Sequence, residues 1–192
     1  YIAMQKNIFI AIVSILSVAC GQSNNHEQVA ENNAKKQLAL GDSISNAMQN
    51  VLLQNVGAAI KKGGTDHAVD YCSFQAMSIT DSIAQKYHSN IQRLSDKNRN
   101  PKNSISKEED KKAWVKIKTL KQHFLQKNTN GETYYYKPIF LAMPTCIKCH
   151  GTTNDIASST LKIIQSKYPN DLATNYQLGD LRGMWKIKIN EL

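Results

Sequence analysis

Only four cysteines are spread over 192 residues, and a chain of this length buries enough core to do without disulfides. A mean hydropathy of −0.45 excludes a protein that crosses a membrane many times. A basic stripe interleaved with aromatics is also lacking. The 24 Lys and Arg give a formal net charge of +9, but they are scattered and follow no nucleic-acid-binding motif. Nucleic acid is therefore not expected as a partner. The charge reads as solvated surface that would also suit an acidic redox partner or an anionic membrane. Internal repeats are absent, and the length suits one domain with a leader and a tail.

What is present begins with Lys6 and the apolar run Ile8-Phe9-Ile10-Ala11-Ile12-Val13, which continues to Ala19. The run has signal-peptide length and is short for a transmembrane span. It ends at Ser17-Val18-Ala19-Cys20, which resembles a bacterial lipoprotein signal in which Cys20 carries the lipid; the alternative is a secretory signal with an incidental cysteine. Residues 1–19 are thus expected to be a signal peptide of lipoprotein type. Residues 20–36, rich in Asn, Gln, Ser and Glu, are expected to be a flexible tether. Residues 37–192 form the domain, held by a lipid anchor at the periplasmic or cell-surface face of a membrane.

Within the domain, Leu40, Ile44, Met48, Leu52, Val56 and Ile60 have helical spacing, and Gly63-Gly64 predicts a stop. A second helix runs from Thr65 or Asp66 to about Tyr87, with Val69, Cys72, Ala76, Ile79 and Ile83 on its inward face. Ser89 to Leu94 reads as a strand, and Pro101 closes a polar loop. Ser106 and Glu109 predict a capping box for a third helix, with a stripe of Trp114, Ile117, Leu120 and Phe124. After Gly131 come strands over Thr133–Tyr136 and Ile139–Leu141. A helix is expected over Ile156–Lys167 and a closing strand over Gly183–Ile189. Helices first and strands mainly later predict an α+β domain with an antiparallel sheet.

Cys146-Ile147-Lys148-Cys149-His150 is the pattern for covalent haem attachment. Two thiols three positions apart can each bond one haem vinyl group, which carries the adjacent histidine beneath the iron. A thioredoxin-like dithiol would open a helix inside a βαβ pattern, and structural zinc would need further ligands; neither context is present. With Cys20 assigned to lipid and two cysteines to thioethers, Cys72 is left over. It is either a small buried hydrophobe or a thiolate ligand opposite His150. Met48, Met77, Met143 and Met184, or His67, His88 and His123, are alternative ligands.

Five ordered segments resemble the PAS-like c-haem domains of bacterial exported and sensor proteins. They are Ala68-Val69-Asp70-Tyr71-Cys72; Ile91 to Ser95 with Arg99-Asn100-Pro101 and Asn103; Lys137-Pro138-Ile139; Cys146 to Gly151; and Tyr168-Pro169-Asn170-Asp171 with Gly179-Asp180 and Arg182-Gly183. Asn175 stands where that pattern more typically carries glycine. The resemblance implies a PAS-like antiparallel sheet flanked by helices, one covalent haem c against it, and iron between His150 and Cys72. Arg93, Arg99 and Asn100 have two readings: partners of haem propionates, or a solvated arginine beside an Asn-Pro turn.

With both axial places filled, the expected function is one-electron transfer at low potential, because thiolate favours ferric iron. The alternative of the same kind is redox or gas sensing, with Cys72 leaving and a small gas entering, and the signal passing to a separate redox partner protein. A peroxidase-like enzyme would need an open iron and a distal acid–base group, for which His88 and His123 are the candidates.

Overall fold

The computed structural model describes residues 21–190. The leader and Cys20, on which the signal and lipid readings rest, lie outside the described residues. Helix α1 spans Gly21–Lys86 and is broken at Gly63 and Gly64. Gly64 has φ 71 and ψ −168, a conformation that L side chains avoid. The expected helix stop is thus a break that separates a first arm, 21–62, from a second, 65–86.

The first arm corrects the expected flexible tether, because the chain is helical from residue 21. No Gly or Pro interrupts residues 22–40, and Glu31 pairs with Lys35 one turn on at 2.7 Å. Lengthening a helix that is already packed costs little, since each added residue gains a hydrogen bond without a new nucleus. A shortage of apolar residues excludes a core, but it does not exclude helix.

Four strands follow, interleaved with helices: β1 (Ile91–Leu94), α2 (Glu108–Leu120), β2 (Phe124–Lys127), β3 (Thr133–Phe140), α3 (Pro144–His150), α4 (Ser158–Lys167) and β4 (Leu181–Ile189). They form one antiparallel sheet in the order β1-β4-β3-β2, as the α+β expectation required. Alternation along β4 divides its side chains between two cores. Trp185, Ile187 and Ile189 pack with Ile91 and Tyr135 against Ile44 and Met48 of α1. On the opposite face Met184 packs with Leu94, Phe124 and Tyr136 against Ala113, Trp114 and Ile117 of α2. On that second face lies Lys186, whose ammonium meets Asp110 at 2.7 Å.

Three local expectations are corrected. Helix α2 begins at Glu108 with Lys107 as its N-cap and no side-chain cap bond, so Ser106 and Glu109 form no capping box. Three acidic residues in the first turn, Glu108, Glu109 and Asp110, complement the helix dipole instead. The helix ends where Lys121 turns left-handed, leaving Leu120 exposed, and Phe124 opens β2. The two short strands expected after Gly131 are one, passing through Pro138. Because β2 stops opposite Tyr136, Pro138 lies where β3 has an edge and a missing N–H is tolerated.

Helix α4 is tied to the start of the second arm. Asp66 accepts hydrogen bonds from the Ser159 and Thr160 hydroxyls, and Thr65 Oγ1 lies 2.7 Å from Thr160 Oγ1. A third apolar cluster of Val69, Ile156 and Ile164 sits beside this tie, with Cys149 packed against it. Among the described residues no helix is long and apolar enough to cross a membrane.

Candidate functional site

Pro144 opens α3, where its missing N–H is no loss, and the helix carries Cys146, Cys149 and His150 through two turns. Residues three apart share a helix face, so both thiols point the same way. Cys146, Cys149 and Cys72 are all unpaired and half-buried. Met143, just before the helix, is exposed.

The segment 173–176 wraps the C-terminal end of α3. His150 Nδ1 lies 2.8 Å from the Ala173 carbonyl oxygen. A carbonyl only accepts, so Nδ1 carries the proton and Nε2 is left with a free lone pair. Tyr176 N donates to the His150 carbonyl at 3.0 Å, and Asn175 N to the Gly151 carbonyl at 2.8 Å. Asn175 sits at φ 61. The left-handed turn explains why glycine suits this position, and Asn is among the few other residues that tolerate it. The Tyr176 ring stands edge-on to His150, with 6.4 Å between centroids. Over the same tyrosine lie Lys97 Nζ at 4.2 Å and the Arg182 guanidinium at 5.5 Å. Burial, reinforced by Arg99, Arg182 and Arg93, pushes the His150 pKa well below its usual 6.5, so the imidazole is neutral at pH 7.

The three arginines are bound differently. Arg99 is committed: Nε donates to Asp171 Oδ2 at 3.1 Å, and Nη2 donates to the Cys149 carbonyl at 2.6 Å and the Ala173 carbonyl at 3.4 Å. Arg182 Nη1 donates to Ser95 Oγ and the Lys97 carbonyl, while its buried Nε has no partner. Arg93 has neither hydrogen bond nor ion pair among the described residues. Its cross-strand neighbour is Trp185, so it stands on the α1 face of the sheet. Arg93 is exposed to solvent, yet the protein around it lowers its pKa by desolvation. Asn100 Oδ1 accepts from Lys102 N at 3.0 Å and caps the turn Pro101–Asn103.

Cys72 lies one turn beyond Val69, the residue that packs in the cluster touching Cys149. Burial raises the Cys72 pKa, opposed by the charges of Arg93 and Arg99. Those same two arginines act on His150, and Cys72 acts on Cys149. Cys72 and Cys149 thus lie near one another, and Arg99 is near Cys72, Cys149 and His150 alike, where α1 meets α3. Four of the other candidate ligands lie elsewhere. Met48 is buried against the sheet, Met184 is on its far face, and His123 faces Asp42 Oδ2 at 3.4 Å beside Tyr135. His88 ends α1 in a left-handed turn, its carbonyl bonded by Asn190. Among the described residues no three His, Cys, Asp or Glu side chains gather in metal-holding geometry. The assembled chemistry is therefore a neutral imidazole with one open nitrogen, three free thiols and an unpartnered arginine.

Asp171 and Arg182 are marked in the sequence only as members of the Tyr168–Asp171 and Arg182-Gly183 segments, and Ala173 not at all, since a backbone carbonyl as partner of His150 leaves no trace in residue type.

The profile of the Tll0287-like family matches residues 22–190. Among solved structures, the crystal structure of the cyanobacterial heme-protein Tll0287 is similar, with 23% identity and a TM-score of 0.63, covering 82% of this chain and 96% of that one. A search of curated proteins found no match. At this identity the structural likeness speaks for the fold. With nearly all of its described residues matched, this chain belongs to the Tll0287-like family.

Proposed function

We propose that this chain is a monohaem c-type cytochrome that works in low-potential electron transfer, or in redox or gas sensing, outside the cytoplasm. In this reading Cys146 and Cys149 add their S–H bonds across the two haem vinyl groups, and His150 Nε2 and Cys72 Sγ ligate iron. A bound haem c would supply one-electron chemistry at that iron. The observation that carries the reading is the His150 ring, whose Nδ1 is spent on the Ala173 carbonyl and whose Nε2 is open. Metal-bound imidazoles are oriented in this way. The neutral state of His150 and the nearness of Cys72 to Cys149 support it further. So does the description of the similar solved structure as a heme-protein.

The residues fit the group's periphery as well. A haem c would bring two carboxylates, and Arg93, whose charge acts on both Cys72 and His150, has no partner among the described residues. Arg99 is engaged with Asp171 and two carbonyls, and Asn100 caps its own turn, so neither is as free. The PAS-like description of the sheet, a lipid on Cys20, a membrane-anchored position and a separate redox partner belong to the same proposal. The peroxidase-like alternative has less support, because His123 is engaged with Asp42 and His88 follows the C-terminal end of the second arm, about four helical turns beyond Cys72.

The test is direct. Protein made in a host with a haem-ligation system should give a c-type pyridine haemochrome and a mass increased by one haem. Both should be lost when Cys146 and Cys149 are replaced by Ala. Colourless parent protein at bare-polypeptide mass would refute the reading.

A further inference from the structure

The side chains around His150 form a relay that the proposed haem site does not need for attachment. Asp171 Oδ1 accepts from Ala173 N at 2.8 Å, and Asp171 Oδ2 accepts from Arg99 Nε at 3.1 Å and forms an ion pair with Nη2 at 3.0 Å. Arg99 Nη2 also reaches the Cys149 carbonyl at 2.6 Å and the Ala173 carbonyl at 3.4 Å. The Ala173 carbonyl in turn accepts the His150 Nδ1 proton at 2.8 Å. The carboxylate thus holds the Ala173 N–H and the guanidinium its carbonyl, and the guanidinium joins both to the end of α3. The pair is 13% and 7% exposed, so its charges are little screened by water.

We propose that Arg99 and Asp171 are a charge-balanced positioning pair that fixes the tautomer and orientation of the His150 imidazole. This rests on the reading of His150 as an iron ligand. Two physical consequences follow. First, the carbonyl that receives the Nδ1 proton is held in place, so the ring has one hydrogen-bonded orientation, and its Nε2 basicity is set by that bond. Second, the opposite charges cancel at the ring. Removing the carboxylate alone leaves a buried cation beside the imidazole, which favours the less positive iron. Removing the cation alone leaves a buried anion, which favours the more positive iron. Opposition of sign reads the charge balance at the ring, and the ring's orientation is read separately from the width of the ferric electron paramagnetic resonance lines.

The experiment uses the full haem-loaded chain, with the parent first shown to carry haem by its haemochrome. If the parent carries none, the function fails rather than this inference. Midpoint potentials are then measured for Asp171→Asn, Arg99→Gln and the double variant. The expected result is a rise for Asp171→Asn and a fall for Arg99→Gln. Each should be at least a tenfold change in the reduced-to-oxidised ratio at fixed potential, about 59 mV for one electron. The double variant should return towards the parent. Arg99→Lys keeps the charge but loses the fork. Its potential should stay near the parent, while its ferric electron paramagnetic resonance lines broaden as the ring loses a single orientation. Arg99→Lys also serves as the check where Arg99→Gln does not fold. Shifts of the same sign in both single variants, no shift in either, or unbroadened lines in Arg99→Lys would overturn the proposal.

Discussion

Substituting Lys186 by methionine removes a buried cation while keeping most of its stem. Lys186 lies in the middle of β4, on the face that packs against α2, and its side chain is 3% exposed. Its ammonium is 2.7 Å from Asp110 Oδ1 and 3.8 Å from Glu109, and it lies 4.5 Å from the centre of the Tyr134 ring. Asp110 also accepts the Tyr136 hydroxyl at 2.8 Å. Once the lysine is gone, the carboxylate stays buried with one neutral donor. Breaking a buried pair from one side costs about 3–5 kcal/mol. For a domain of this size that is a fall in Tm of about 6–20 °C. The double variant Lys186→Met with Asp110→Asn leaves no buried charge and keeps an acceptor for Tyr136, so it should recover most of the loss. Circular-dichroism melting of the three proteins checks this. The haem spectrum of each should match the parent, since the pair lies on the sheet face turned away from α1. A loss below about 1 kcal/mol in the single variant, or a double variant no more stable than the single, would refute the assignment of this pair as a closed, dry interaction.

Under the proposed function, replacing Cys72 by Ser should leave a haem attached through Cys146 and Cys149 but shift the Soret band and the ferric spin state; unchanged spectra would place the sixth ligand elsewhere. Gly64→Ala should destabilise by about 1–3 kcal/mol in denaturant titration, because the position is left-handed at φ 71 although nothing crowds an added Cβ. Gly57→Ala, equally uncrowded but inside the helix, should stabilise by about 0.5–1 kcal/mol. Hydrogen bonds from Lys188, Asn128 and Tyr134 hold the Glu132 carboxyl down at about 2, below its usual 4.5. A folded-state value below the unfolded one gives stability that is complete above the ordinary carboxylate range and is lost as pH falls from about 4.5 towards about 2. Glu132→Gln should therefore flatten the acid limb of the stability–pH curve, measured by melting at stepped pH.

Residue identity and spacing alone carry a good part of this protein. The Cys-x-x-Cys-His run is readable because its chemistry lies within one helical turn, where spacing decides which atoms meet. The inward phase of Cys72 was legible for the same reason: Val69 and Cys72 are one turn apart on a helix whose period sets the face. The closing strand was visible through its alternation. What escaped the sequence has a common cause. The Ala173 carbonyl meets His150 across 23 positions, Arg99 meets Asp171 across 72, and Lys186 meets Asp110 only because β4 and α2 are stacked. None of these pairings has a period, and one partner is backbone that every residue carries. Residues 21–36 show the converse, since their composition points to a tether while packing further along the first arm makes helix the cheaper continuation. Local covalent spacing thus determined which groups are available, while the tertiary fold decided which are engaged, which are left open and which charges are buried together.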